Sequence, residues 1–392
     1  MPTVASSAAQ VPQSRIRELA EAAMKMDGVL KLYFGESNIP TPEYIKRAAA
    51  AALEEGYTFY TENAGRPGLR QDLASYYGRL HGVKLDPLSE IVVTASGVQA
   101  LNVGIRCVLN PGDEALVLTP AWPNASAIIR MDNANPMEIP LVLRGGRYTV
   151  DFDALRGAMM PRTRLLVYTS PSNPLGWVAT EEEQEELLEF ARRHDLWLLV
   201  DEVYERLYYR SAELGAPAPS ILRKITRNDA VMVAQSFSKT YCMTGWRLGW
   251  LVARRDVGEK ATQLNEFIVS HAPSFIQRAA QTALAQGEGE LRQMLIRLKE
   301  NRDFCLAALR QMPGVTVPSP DGAFYVFPRI DGLTDSFAFC WKLLQETMVG
   351  MAPGVAFGGG GEGSVRICYA AERTILEPAM ERLARFLSKS WS

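Results

Sequence analysis

Apolar residues come in short, unbroken runs through the middle of the chain. "EIVVTAS", "EALVLTP", "PMEIPL", "RLLVYTS", "LWLLVDEVY", "AVMVAQSFS" and "LGWLVA" each read as a strand, and these are continuous runs rather than alternating ones. Such strands are covered on both faces. Helix-like segments lie between them. "GVQALNVGIRCVL" stops at Asn110-Pro111-Gly112. "TEEEQEELLEFARRHD" opens on Thr180 with Glu183 three residues on, a capping box. Its run "EEEQEE" reads as a solvated helix face. Strand–helix alternation predicts an α/β fold with a large, doubly wound, mostly parallel sheet. The ligand crevice then lies at the carboxyl ends of the strands.

The two ends of the chain read differently. A helix-like "IRELAEAAMKM" is followed by a short strand, a loop with two prolines and a helix, in "GVLKLYFGESNIPTPEYIKRAAAAALEEG". Beyond about Ser274 a long helical region reaches Met312. Then come "GVTVPSPDGAFYVFP", a helix around "DSFAFCWKLLQET", "VGMAPGVAF", "SVRICYA" and an amphipathic helix. This predicts a smaller α+β domain completed by the N-terminal segment. The expected division is 1–45 for the arm and part of the small domain, 46–285 for the large domain and 286–392 for the small one.

Composition narrows the function classes. The 392 residues are 47% hydrophobic and 22% charged with a net charge of −2, ordinary for a soluble enzyme. A nucleic-acid binder would show a basic face, and adsorption to a membrane surface would need clustered lysine and arginine. The five cysteines, Cys107, Cys242, Cys305, Cys340 and Cys368, form no CxxC pair. They suit reduced thiols in the cytoplasm. No apolar signal region opens the sequence and no run reaches transmembrane length. His81, His194 and His271 lack a metal-ligand spacing, so no metal is expected. "GGGGEG", Gly358 to Gly363, satisfies GxGxxG but precedes a strand rather than a helix, which argues against a dinucleotide site.

Three segments carry candidate chemistry. Lys239 follows an apolar strand in "VMVAQSFSKTYCMTGWRLGWLVA". Desolvation there lowers a lysine pKa and frees the amine as a nucleophile able to form a Schiff base with an aldehyde such as that of pyridoxal phosphate (PLP). Ser236 and Arg247 bracket it and could bind the phosphate. Ser96 and Gly97 end a strand and open a helix, a potential anion site or a plain N-cap. Asp201 and Glu202 follow five apolar residues. A carboxylate so placed needs a cationic partner, such as a protonated pyridine nitrogen, or else the dipole of a helix start.

Taken in order, these motifs resemble the class I/II aminotransferases, the fold-type-I PLP enzymes, from about Gly35 to Arg366. "SFSKTYCMTGWRLGW" is similar to the segment that implies Lys239 as the cofactor-bearing lysine. "DEVY" implies Asp201 at the pyridine nitrogen and Tyr204 at the ring hydroxyl, and "PSNPLG" implies Asn173 at that same oxygen and beside the substrate. "PAWPN" implies Trp122 stacked on the ring. Ser96, Gly97, Val98, Ser236 and Arg247 would serve the phosphate, with Tyr60 of "YTENAGRPGLR" reaching in from the other subunit of a homodimer. Gly35 of "LYFGESNIPTP" and Arg366 of "SVRICYA" would take the substrate carboxylate. The resemblance implies ping-pong amino transfer between an L-amino acid and a 2-oxo acid, with Lys239, Asp201 and Tyr204 as catalytic groups.

The pattern departs from the family where substrates are chosen. Val98 stands where one aspartate-specific branch has a lysine. "QLNEFIVSHAPS" lacks the arginine another branch supplies from its partner. This predicts a preference for neutral or apolar amino acids, or a different acid-binding residue. A carbon–sulfur β-lyase or cyclase would share Lys239, Asp201 and Arg366. A non-catalytic PLP-binding regulator is the remote alternative, since only about thirty residues precede the Gly35 motif.

Overall fold

The computed structural model describes residues 2–9, 11–211 and 213–390. Its centre is a seven-stranded sheet. The strands are β1 (Ile91–Thr94), β2 (Glu114–Thr119), β3 (Asn135–Pro140), β4 (Thr163–Thr169), β5 (Trp197–Asp201), β6 (Val231–Ser236) and β7 (Gly249–Ala253). Their order across the sheet is β1-β7-β6-β5-β4-β2-β3. All neighbours are parallel except β7, which runs antiparallel to both β1 and β6.

The unbroken apolar runs have a direct cause, because successive side chains in a strand point to opposite faces and both faces are covered. Val92, Leu165, Val167, Leu199, Met232 and Leu251 pack with Ala100, Leu101, Val103 and Ile105 of the helix Gly97–Val108. Val93, Leu116, Leu166, Leu198, Val233 and Trp250 join the larger core on the opposite face.

The sequence-predicted strand over "AVMVAQSFS" is shorter in the structure. It ends at Ser236, and Phe237–Thr240 is a single helical turn capped by Ser236 Oγ, which accepts from Ser238 N at 3.1 Å. "LWLLVDEVY" likewise stops at Asp201. The helical region after Ser274 is two helices, Ser274–Gln286 and Glu288–Arg310. Several helices went unread in the sequence, among them Pro67–His81, Asn124–Met131, Phe152–Gly157 and Arg255–Ile268.

Outside the large sheet, Tyr325–Val326, Val365–Cys368 and Ala352–Pro353 form an antiparallel three-stranded sheet. Leu30–Lys31 pairs in parallel with Val349–Gly350, so the N-terminal segment is tied to the C-terminal part of the chain. The helix α1 (Arg15–Ala23) buries Ile16, Leu19, Ala20 and Ala23 against this part. Among the described residues no helix is long and apolar enough to cross a membrane. "GGGGEG" forms a loop rather than a helix start, and Gly359 N donates to Glu138 Oε2 at 2.8 Å.

The charge run in Glu181–Arg193 is not a uniformly solvated face. Glu183 and Gln184 share the buried side of the helix with Leu187 and Leu188. The Glu183 carboxylate accepts from Arg147 Nη1 and Nη2 at 3.0 and 2.6 Å and from Thr149 Oγ1 at 2.7 Å, and closes the capping box on Thr180 N at 2.9 Å. Glu183→Ala should therefore cost roughly 2 kcal/mol, because it strands the half-buried Arg147 and one cap donor. Glu182→Ala, on the exposed side, should stay within about 0.5 kcal/mol. Urea melts of the two variants check this, and equal midpoints would refute it.

Candidate active site

The site is assembled by the ends of strands. β5 delivers Asp201 opposite Ala234 of β6, and β6 ends two residues later at Ser236. The chain then turns through Phe237–Thr240, which brings Lys239 back over the strand ends. On the other side, Ser96 has φ 118°, a sparsely allowed value for a residue with a Cβ. This turn directs Gly97 and Val98 of the helix Gly97–Val108 to the same place. Gly249 permits the close fit, since a Cβ there would lie 2.5 Å from both Gly97 N and Gln235 O.

A cavity of about 540 Å³ results, within the range of small-ligand sites. Gly35, Gly97, Val98, Trp122, Asn173, Asp201, Tyr204, Ser236, Lys239 and Arg247 all line it. Three residues named from the sequence do not. Ser96 lies just beneath the surface as the N-cap, its Oγ accepting from Gln99 N at 3.2 Å. Arg366 is fully buried behind the wall formed by Asn173, Trp122 and Tyr325. Tyr60 points away from the cavity and is 90% exposed.

Lys239 Nζ donates to Gly35 O at 2.6 Å and lies over the rings of Tyr204 and Phe324 at 5.7 and 5.9 Å. Burial lowers its pKa to about 8, with Arg366 and Arg247 adding to the depression. Asp201 shows the opposite imbalance. Burial raises it to about 6 against the opposing pull of the Val203 N–H and the Lys239 charge. Its Oδ1 accepts from Val203 N at 3.2 Å, and its other oxygen carries no hydrogen bond among the described residues. Tyr204 is raised by burial, and its hydroxyl shares a 2.7 Å hydrogen bond with Tyr325.

Arg366 Nη1 donates to Asn173 Oδ1 at 2.9 Å and Nη2 donates to Tyr33 O, while Nε has no partner. Arg247 Nη1 donates to Thr244 O at 2.6 Å, and no carboxylate lies within 4 Å of it among the described residues. The cavity thus offers an amine that gives up its proton more readily than an ordinary lysine, an under-partnered carboxylate and an anion corner. Gly97, Val98, Ser236 and Arg247 form that corner. This donor set fits PLP, whose aldehyde, pyridine nitrogen and phosphate ask for those three features.

Sequence reasoning missed several cavity residues. Tyr325, Phe34, Glu36, Asn124, Thr244 and Arg17 all face the site. Phe34 and Glu36 could have been found as neighbours of Gly35. Arg17 sits in a helix with no local mark of chemistry. The adjacent acids of β5 also separate. Asp201 faces the cavity, whereas Glu202 turns away to accept from Ser220 Oγ at 2.8 Å and Ile221 N at 3.1 Å.

The family model for aminotransferase class I and II matches residues 29–383. An aspartate aminotransferase of Pyrococcus horikoshii is 36% identical over 380 residues, covering 96% of this chain and 95% of its own. An aromatic-amino-acid aminotransferase 2 of Thermococcus litoralis is 34% identical, with 97% of each chain covered. The crystal structure of an aromatic aminotransferase from Pyrococcus horikoshii superposes with a TM-score of 0.88 at 34% identity, over 95% of this chain and 99% of that one. A match of this extent, on the fold and cavity described, makes the chain a member of the class I and II aminotransferases.

Proposed function

We propose that this aminotransferase uses PLP in the cavity to move an amino group between an L-amino acid and a 2-oxo acid, by a ping-pong sequence. The observation that carries the reading is the pair of opposed shifts at the ends of β5 and β6. Lys239 is lowered to about 8 and Asp201 raised to about 6, both facing one cavity. Bound PLP supplies an aldehyde that condenses with amines and a pyridinium ring that accepts electrons from the substrate Cα–H bond.

The chain's residues divide the remaining work. Asp201 holds the ring nitrogen in its protonated form, and that cation in turn satisfies the lone carboxylate. Asn173 and Tyr204 hold the ring hydroxyl, and Trp122 packs against the ring face. The N–H groups of Gly97 and Val98, with Ser236 and Arg247, bind the phosphate, and Ser96 fixes the helix start that presents them. Arg366 exchanges its contacts with Asn173 and Tyr33 O for the substrate carboxylate in two parallel bonds, assisted by the Gly35 N–H. Lys239 Nζ would serve as the base that takes the proton from the substrate Cα.

The reading extends to a cytoplasmic homodimer in which Tyr60 of one copy serves the phosphate of the other. Its support is three exposed aromatic side chains, Tyr60 at 90%, Phe59 at 80% and Phe267 at 87% exposure, on two segments that Asn265 Nδ2 joins by donating to Asn63 O at 3.1 Å. Contiguous exposed apolar surface of this kind marks contact sites. The same reading divides the chain at 45/46 and 285/286. The second boundary falls beside Gly287, between the two long helices.

Five outcomes test this reading. The neutral Lys239 amine is the reactive form, so PLP uptake by apoprotein should quicken about tenfold between pH 7 and 9, then level off. Lys239→Ala should give a colourless product with almost no turnover. Asp201 is raised above its unfolded value, so its contribution to stability is complete below about pH 4 and lost as pH rises through about 6. Asp201→Asn apoprotein should accordingly gain on the order of 2 kcal/mol at pH 8 and nothing at pH 4, while losing transaminase activity. Sedimentation should show a dimer, and Tyr60→Ala should weaken PLP retention; a fully active monomer would contradict the shared site.

A further inference from the structure

Tyr325 has no part in the division of labour above, yet it touches Tyr204, Arg366 and Gly35, which do. Strand pairing explains its place. Tyr325 stands opposite Cys368, beside the strand that carries Arg366. Two residues earlier, Ala323 ties the segment to the loop after β5. Its N–H donates to Leu207 O at 2.8 Å, and its carbonyl accepts from Tyr209 Oη at 2.5 Å. Tyr325 is thus fastened to both parts of the molecule and lines the cavity while fully buried.

Its ring and its hydroxyl do different things. The Arg366 guanidinium carbon lies 4.6 Å from the ring centre, a contact shared with Phe357 at 5.0 Å and Trp122 at 5.8 Å. The hydroxyl shares its 2.7 Å hydrogen bond with Tyr204, and neither phenol has another hydrogen-bond partner among the described residues. Burial raises both phenols, so each keeps its proton. Two protons and one shared bond leave one proton unused. If Tyr204 donates, the unused proton is Tyr325's. Gly35 packs against that hydroxyl so closely that a Cβ there would lie 2.5 Å from it, and the Gly35 carbonyl is taken by Lys239. If Tyr325 donates, the unused proton belongs to Tyr204 and is available to a cofactor in the cavity. An acceptor placed beside Tyr204 therefore decides the direction of the pair.

Resting on the PLP transaminase reading, we propose that Tyr325 is a positioning residue for Tyr204: its hydroxyl donates to the Tyr204 oxygen and so turns the Tyr204 proton onto the ring oxygen of PLP. Hydrogen bonds that run one way polarise each other, so Tyr204 donates more strongly with Tyr325 behind it. A stronger donor stabilises negative charge on the ring oxygen, and the bound cofactor loses its proton at lower pH. The Tyr325 ring acts separately, on Arg366. Removing the hydroxyl alone therefore alters the cofactor's titration and spares the carboxylate site.

The test is a pH titration of the visible absorbance of bound PLP in wild type, Tyr325→Phe, Tyr204→Phe and the double variant. Tyr325→Phe should raise the midpoint by about half a pH unit. Tyr204→Phe should raise it further, and the double variant should match Tyr204→Phe, because Tyr325 acts only through Tyr204. Placing 3-fluorotyrosine, a more acidic donor, at position 325 should move the midpoint the other way, which a disturbed packing would not do. KM for the amino donor should stay within about threefold in Tyr325→Phe and rise clearly in Tyr325→Leu, which also loses the ring under Arg366. A Tyr325→Phe midpoint equal to that of wild type, or shifts that add in the double variant, would overturn the proposal. A wild type that takes up no PLP would overturn the cofactor reading and this proposal with it. A wild type that binds PLP but transfers no amino group would overturn transamination alone, and the titration would still decide Tyr325.

Discussion

The site depends on the desolvation of two groups that have no counter-ion within 4 Å among the described residues. Asp201 and Lys239 stand at the ends of adjacent parallel strands, where both faces of the sheet are already covered. Burial disfavours both charges there, so the acid is pushed up and the amine down. Neither imbalance would survive at a surface, where a lysine and an aspartate keep their ordinary charges. The fold thus holds a reactive amine and a cation-seeking acid in reserve, at a cost the rest of the structure must carry.

Part of that support lies behind the cavity. Glu202 and Glu205 turn to the opposite side of the chain from Asp201, into a buried cluster with His81, Tyr76 and Ser220. Burial raises Glu202 to about 8, with the Glu205 charge adding to the effect. Burial works to lower His81, but its hydrogen bond to Glu205 at 3.0 Å and the nearby negative charge prevail and raise it. Next to them, Arg206 holds Glu288 through bonds of 3.0 and 2.7 Å and so ties this loop to the start of the helix Glu288–Arg310. These bonds fix the backbone after β5, although Arg206 Nε has no partner among the described residues, and Asp201 inherits its aim from them.

The large sheet was legible because burial on both faces writes itself into the sequence as unbroken apolar runs. The small sheets were not, because strands such as Tyr325–Val326 and Ala352–Pro353 are two residues long and show no period. Pro67–His81 escaped notice because the face it buries carries Arg70, Tyr76, Tyr77 and His81 beside Leu69 and Leu73, so its burial is not mirrored by an apolar period. Glu183 was misread because composition says nothing about which side of a helix a glutamate occupies. Lys239 and Asp201 stood out by following apolar strands. Arg366 and Tyr60 were named only through the family resemblance, and their buried and outward positions needed the fold.

The segment Tyr33-Phe34-Gly35 joins these strands of argument. Its carbonyls accept from Arg366 and Lys239, one cation from each part of the molecule, and its central ring carries Arg17. A carbonyl satisfies a cation's hydrogen bonds without cancelling its charge, whereas an anion does both. Each of the two carbonyl contacts therefore leaves its cation's charge uncancelled, so a carboxylate that reached either cation would be held more strongly than the carbonyl is. Because the pairing of Leu30–Lys31 with Val349–Gly350 anchors the backbone just before this segment, the two cations are held by one short stretch tied to the C-terminal part of the chain, and the position of that stretch sets the position of both.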